Sequence, residues 1–206
     1  MTVLDRPRHP VVADALDLAR RWCAGHVIDG SPALVHAVRV APTLSRHVPT
    51  APPELVAAVL LHDAPEFAPP DIDLDATLAA RVGHLVVRVV RAIEEEHRAL
   101  AEQLLPAIRT DDPWTLLASA ADKIVSFTSI LRRATAAADP QAYWRVRQPF
   151  LQRLPYFHAF HHAAACHLPL TMAEHLQRLI ARADRLSAGS GPPPNTTVWL
   201  KGLVRR

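Results

Sequence analysis

Cysteine is nearly missing from this 206-residue chain, which has only Cys23 and Cys166. Two thiols cannot form a disulfide scaffold, and neither spacing suits a zinc knuckle. Both stand among apolar neighbours, where a free thiol behaves as a small hydrophobe. Glycine is scarce at six residues, and strand signals are poor throughout. No apolar run approaches the roughly 20 residues that span a bilayer. The opening MTVLDRPRHP also lacks the apolar stretch of a secretory signal. A cytoplasmic protein with no membrane partner is therefore expected. Charge of one sign is not concentrated anywhere. There are 23 basic and 20 acidic residues, a net charge of +3, and no like-charged block that would grip nucleic acid. The mild positive balance suits a small phosphate-bearing partner.

What the chain does have is apolar content and proline. Half the residues are hydrophobic, enough for the core of one domain, expected over 1–187. The nineteen prolines fall mostly where helices should start, because the first helical N–H has no intrahelical partner to lose. The first helix is predicted from Pro10 to Cys23, with Val11, Ala15, Leu18 and Trp22 on one face and Gly25 as its stop. Ser31-Pro32 reads as N-cap and first residue of a second helix, which Pro42 should kink or end. Pro52-Pro53 opens a third, ELVAAVLLHD. It is apolar nearly all round and so belongs at the centre of a domain. APEFAPPDIDLD reads as an irregular loop or broken turn. Further helices are predicted over 74–105 with an interruption at Gly83, then over 112–135, 139–151, 155–167 and 171–187. The last has capping-box spacing between Thr171 and Glu174. SAGSGPPPNTT reads as a linker, with a short C-terminal arm over 188–206. The fold class is thus all-α, a helical bundle. The oligomeric state is open, a homo-oligomer included.

The informative feature is that the apolar third helix ends in His62-Asp63. Unpaired polar groups at the end of a buried helix are costly. Adjacent imidazole and carboxylate can both reach one metal ion. His36, in ALVHAVRVA, and Asp122, in LLASAADKIVSF, are two more such groups inside apolar helices. Each alone fits a hydrogen-bonded or ion-paired core residue. Together they give H…HD…D over three helices, and metal binding is the expected role of His36, His62, Asp63 and Asp122.

This order resembles the HD superfamily of metal-dependent phosphohydrolases. The resemblance is strongest to the hydrolase domains of RelA/SpoT-type alarmone enzymes and their small stand-alone relatives. It rests on ALDLARRWCAGHVIDGSPALVHAVRVA, VLLHDAPEF and AADKI, within residues 11–135. It implies an HD-domain helical bundle. It also implies a divalent cofactor, Mn²⁺ being favoured, and hydrolysis of a phosphate ester or pyrophosphate on a small nucleotide such as (p)ppGpp. Glu66 lies four residues after His62 and would position the attacking water or carry its proton. The pattern departs in three places. Phe67 stands where the alarmone hydrolases carry a second acid, offering an apolar wall. Ser126 replaces an Asn, and Val27, Ile28 and Asp29 replace basic residues. The 5'-deoxynucleotidases of the same superfamily instead place an acid nine residues past the His, a position held here by Asp71. Asp71 thus reads either as a catalytic acid or as part of a solvated acidic loop. A metal-binding regulatory module without catalysis is the competing class.

Other residues have two readings. Arg39, one turn after His36, and Lys123, beside Asp122, are placed either to touch a substrate phosphate or to pair with a nearby acid. His158 and His162 in HAFHH have ligand spacing, but no third ligand is evident, and a surface or core role is expected. Glu94-Glu95-Glu96 reads as a solvated helix face.

Overall fold

Proline and aspartate set most of the helix starts. The computed structural model describes residue 4 and residues 8–28 and 30–188. In it α1 (Pro10–Trp22), α3 (Pro53–Leu60), α7 (Pro113–Ala136) and α8 (Pro140–Arg145) each carry Pro in the first turn. Asp112 and Asp139 cap α7 and α8, accepting from the backbone N–H of Thr115 and Ala142. Asp73 caps α5 (Leu74–Val82) in the same way through Ala76 N–H. Such caps satisfy donors that the helix itself leaves unpaired. The remaining helices are α2 (Ala33–His47), α4 (Ala64–Phe67), α6 (His84–Ala101), α9 (Gln148–Gln152), α10 (Leu154–Ala164) and α11 (Leu170–Ser187). Gly83, at φ +93°, separates α5 from α6 as the sequence predicted.

Several boundaries differ from expectation. The second helix starts one residue later than expected, at Ala33 with Pro32 as its N-cap, and Ser31-Pro32 has a further role. That pair forms β2 (Ser31–Pro32), paired antiparallel with β1 (Val27–Ile28). The reversal uses Gly30 at φ +75°, a conformation open to glycine. Pro42 neither ends nor replaces a turn of α2, which continues to His47. One lost rung is outweighed by burial of Val40, Ala41 and Leu44 on either side. The helix predicted over 139–151 is two, because Pro149 opens a new first turn in α9. Pro169, not Thr171, is the N-cap of α11. The Thr171 hydroxyl instead lies 3.0 Å from His47 Nδ1. The expected arm lies, past Ala188, outside the described residues.

One continuous core runs through the bundle. Its centre is α3, whose residues Leu55 to Leu60 are all buried. This helix packs against α1, α2, α6 and α7. That position follows from its sequence, since a helix apolar on every face has no side to offer water. The 24-residue α7 packs on α2, α3, α6 and α11. The polar residues at the end of α3, in the first turn of α2 and in the middle of α7 therefore meet inside the domain. No helix among the described residues is long and apolar enough to cross a membrane.

Candidate metal centre

The chain leaves helical geometry after Leu60, and His62 folds back beneath α3. Its Nδ1 lies 2.9 Å from the carbonyl oxygen of Val59, one of the last-turn carbonyls without a helical partner. A carbonyl only accepts, so Nδ1 carries the proton and donates. This fixes the tautomer and leaves Nε2 as the variable atom. Around His62 Nε2 stand His36 Nε2 at 3.3 Å, Asp63 Oδ2 at 3.1 Å and Asp122 Oδ1 at 3.5 Å. His36 Nε2 is itself 2.9 Å from Asp122 Oδ1. All four residues are buried.

These spacings suit hydrogen bonds and also match those of atoms sharing one ion. Metal–ligand bonds of ~2.0–2.2 Å set neighbouring donors ~3 Å apart in an octahedron and ~3.4 Å apart in a tetrahedron. His36, His62 and Asp122 each offer a donor within 4.8 Å of the others, so this cluster is able to hold a metal ion. Asp63 Oδ2 lies beside this group, 3.1 Å from His62 Nε2. It is buried and has no hydrogen bond of its own, an orphan that a cation would satisfy.

The electrostatics agree. Burial alone would lower the His62 pKa, yet the adjacent Asp63 and Asp122 raise it from 6.5 to about 9. Burial likewise favours neutral Asp122, but hydrogen bonds from His36, His62 and His97 hold its carboxyl well below the usual range. The pocket therefore demands a positive charge at His62 Nε2, and a proton or a metal ion can supply it.

His97 on α6 is a member that the sequence reading did not single out. Its Nε2 is 3.4 Å from Asp122 Oδ2, and its Nδ1 is 3.9 Å from Asp63 Oδ1. It thus approaches the outer oxygens of both carboxylates whose inner oxygens face His62. Burial favours neutral His97, but Asp122 and Asp63 raise its pKa overall. A signal was available in the spacing of Val86, Val89, Val90, Ile93 and Leu100. This is the buried stripe of α6, and it carries positions 96 and 97 inward.

Glu96 is accordingly a correction to the expected solvated acidic run. It is buried and paired with Lys123. Ser119 Oγ donates to Glu96 Oε2 at 2.6 Å, and the Tyr156 hydroxyl donates to Oε1 at 3.0 Å. Lys123 Nζ also lies 4.4 Å from the centre of the Phe160 ring. Burial would raise the Glu96 pKa, but Lys123 and His97 hold it below the ordinary value. Of its two sequence readings, Lys123 thus realises pairing with an acid.

The centre opens into a cavity of about 410 Å³. Glu66 lines it and is exposed at its edge, while Ser126 Oγ lies 3.4 Å from Asp122 Oδ1. Phe67 turns away and stacks on His26 at 4.6 Å. Arg39 and Asp71 are exposed and do not line this cavity. In the Asp71 loop, Asp73 is the α5 cap and Asp75 pairs with Arg91. His158 is exposed and pairs with Asp184. The structure therefore gathers the four expected ligands, Glu66 and Ser126 at one site, brings Lys123 in as a paired cation, and leaves Arg39, Phe67 and Asp71 outside. No family model and no curated protein matches the chain.

Proposed function

We propose that the chain is a metal-dependent phosphohydrolase of the HD type, acting on a phosphate ester or pyrophosphate of a small nucleotide-like substrate. The observation that carries the reading is the convergence of acceptor atoms on His62 Nε2 with its tautomer already fixed by Val59. His36, His62, Asp63 and Asp122 would hold the ion. Mn²⁺ is the ion to test first because the family resemblance favours it, while mixed imidazole and carboxylate donors also admit iron, zinc, cobalt or nickel. When bound, the ion polarises a phosphoryl oxygen and acidifies a water.

The chain's own residues do the rest. Glu66 at the cavity edge accepts a proton from the attacking water. The water oxygen bonds to phosphorus as the bond from phosphorus to the leaving oxygen breaks, and a proton ends on that leaving oxygen. His97 steadies both carboxylates from their outer side, so that the inner oxygens keep their aim. The Glu96–Lys123 pair, buried behind His97 and Asp122, fixes α6 against α7.

The test is phosphate release from a panel of nucleoside monophosphates and guanosine 3',5'-bispyrophosphate after loading with Mn²⁺, with His36→Ala as the control. Release that depends on metal and is lost in the control supports the reading. Stoichiometric metal binding with no release from any member favours a metal-binding regulatory module instead.

A further inference from the structure

The arginines of the chain fall into two groups. Around α1, α5 and α6 carboxylates hold them, Arg21 by Asp17, Arg81 by Asp14 and Arg91 by Asp75 among them. Past Phe127 the balance differs, and the described chain carries eight arginines against three acids. Asp139 caps α8, and Asp184 pairs with His158 on α10. Glu174 is left to offset the exposed guanidiniums of α11, and it reaches Arg178 at 3.7 Å. These arginines are scattered along the sequence, so no charge block marks them. The fold gathers them.

Arg178, Arg182 and Arg185 are all exposed on α11. Their spacing of four and three residues sets them on one face, a turn apart. The opposite face, with Met172, Leu176, Leu179 and Ile180, is buried in the bundle. Arg182 donates to Thr135 Oγ1 at 3.0 Å, which brings in the exposed Arg132, one turn before Thr135 on α7. Toward the start of α11, His47 Nε2 lies 3.2 Å from His175 Nδ1. This contact sets the exposed Arg46 of α2 beside α11. Burial lowers the pKa of both imidazoles, and Arg46 and Arg178 lower it further, the mark of a positive field at that junction. Arg46, Arg132, Arg182 and Arg185 form no ion pair among the described residues.

Such a band suits one kind of polyanion. A lipid surface binds helices that offer it an apolar face, and that of α11 is already used in the bundle. Unpaired bases stack on aromatic rings, and α11 has no Phe, Trp or Tyr. A duplex needs neither, because its backbone presents closely spaced phosphates that guanidiniums bind through paired donors. We infer that Arg46, Arg132, Arg178, Arg182 and Arg185 form a surface for the phosphate backbone of a nucleic-acid duplex, bound without regard to base sequence. DNA and RNA duplexes share this chemistry. The surface is independent of the proposed hydrolysis.

The test is fluorescence anisotropy of the full chain with short labelled duplexes of DNA and of RNA. Affinity should fall by roughly 10²-fold between 50 and 200 mM salt, as expected when four or five phosphates shed their counterions. Arg178→Glu/Arg182→Glu should weaken binding by about 10-fold or more at the lower salt and flatten the salt dependence. Arg20→Glu/Arg21→Glu makes the same change of net charge at exposed positions of α1 and should leave affinity within about 2-fold. Circular dichroism checks that each variant is folded, and Arg178→Gln/Arg182→Gln gives the same comparison with a milder change. A preference for either duplex supports the surface and identifies its source. Equal losses in the α11 and α1 variants would reduce the binding to net charge and overturn the proposal. No binding to either duplex at low salt, or an affinity indifferent to salt, would overturn it as well. So would competition by phosphatidylserine vesicles as effective as that by duplex at equal charge, which would assign the band to a lipid surface.

Discussion

His62→Ala is the most informative perturbation, because it removes the atom on which the centre converges while leaving the α3 backbone free to form. The imidazole Nε2 faces three other donor atoms within 3.5 Å, so its loss should release the ion. Metal binding stabilises the folded state by about 2.7 kcal/mol at 100-fold excess over Kd. For a domain of this size that is a rise in Tm of roughly 5–10 °C. Wild type should show this shift on adding Mn²⁺, and His62→Ala should show none. The metal-free proteins add a second measurement. The folded pKa of His62 is raised from 6.5 to about 9. Its protonation thus stabilises the fold fully below pH 6.5, and this stabilisation is lost as pH rises through 9. The corresponding ceiling is about 3 kcal/mol. Metal-free wild type should lose Tm over this window, with His97 adding a change of the same sign, whereas His62→Ala should lose much less. Differential scanning fluorimetry at pH 6, 7.5 and 9, with and without Mn²⁺, gives all the values needed. An equal metal shift in His62→Ala would refute the site. Equal pH slopes in the two metal-free proteins would refute the electrostatic argument.

Glu66→Gln should retain stoichiometric metal by elemental analysis while turnover falls by ~10²–10⁴-fold; unchanged turnover removes Glu66 from the mechanism. Asp71→Asn, at an exposed position outside the cavity, should leave turnover within about 2-fold; a loss near that of Glu66→Gln would show that the Asp71 loop closes over the substrate. Lys123→Met leaves the buried Glu96 carboxylate without its partner cation and should cost ~3–5 kcal/mol in urea unfolding. Adding Glu96→Gln should recover much of that loss, and strict additivity of the two would argue against a coupled pair.

The sequence alone determined the helical class, the central place of α3 and the convergence of His36, His62, Asp63 and Asp122. Each follows from local chemistry. An all-apolar stretch must be buried, and polar residues at its end must then find partners nearby. Prolines and aspartates at helix starts carried most of the boundaries for the same local reason. Tertiary structure decided the rest. Whether Lys123 faces a ligand or an acid depends on which helix lies opposite, and α6 brings Glu96 there. His97 became part of the centre because the buried stripe of α6 turns position 97 toward α7, although its neighbours Glu94 and Glu95 are charged. Phe67 and Asp71 follow His62 closely in sequence, yet α4 ends at Phe67, and the chain leaves the cavity there. The three phenylalanines that line the cavity were out of reach for a similar reason. Phe127 lies on α7, Phe150 on α9 and Phe157 on α10, and only packing between helices far apart in the chain sets three rings beside the candidate metal centre.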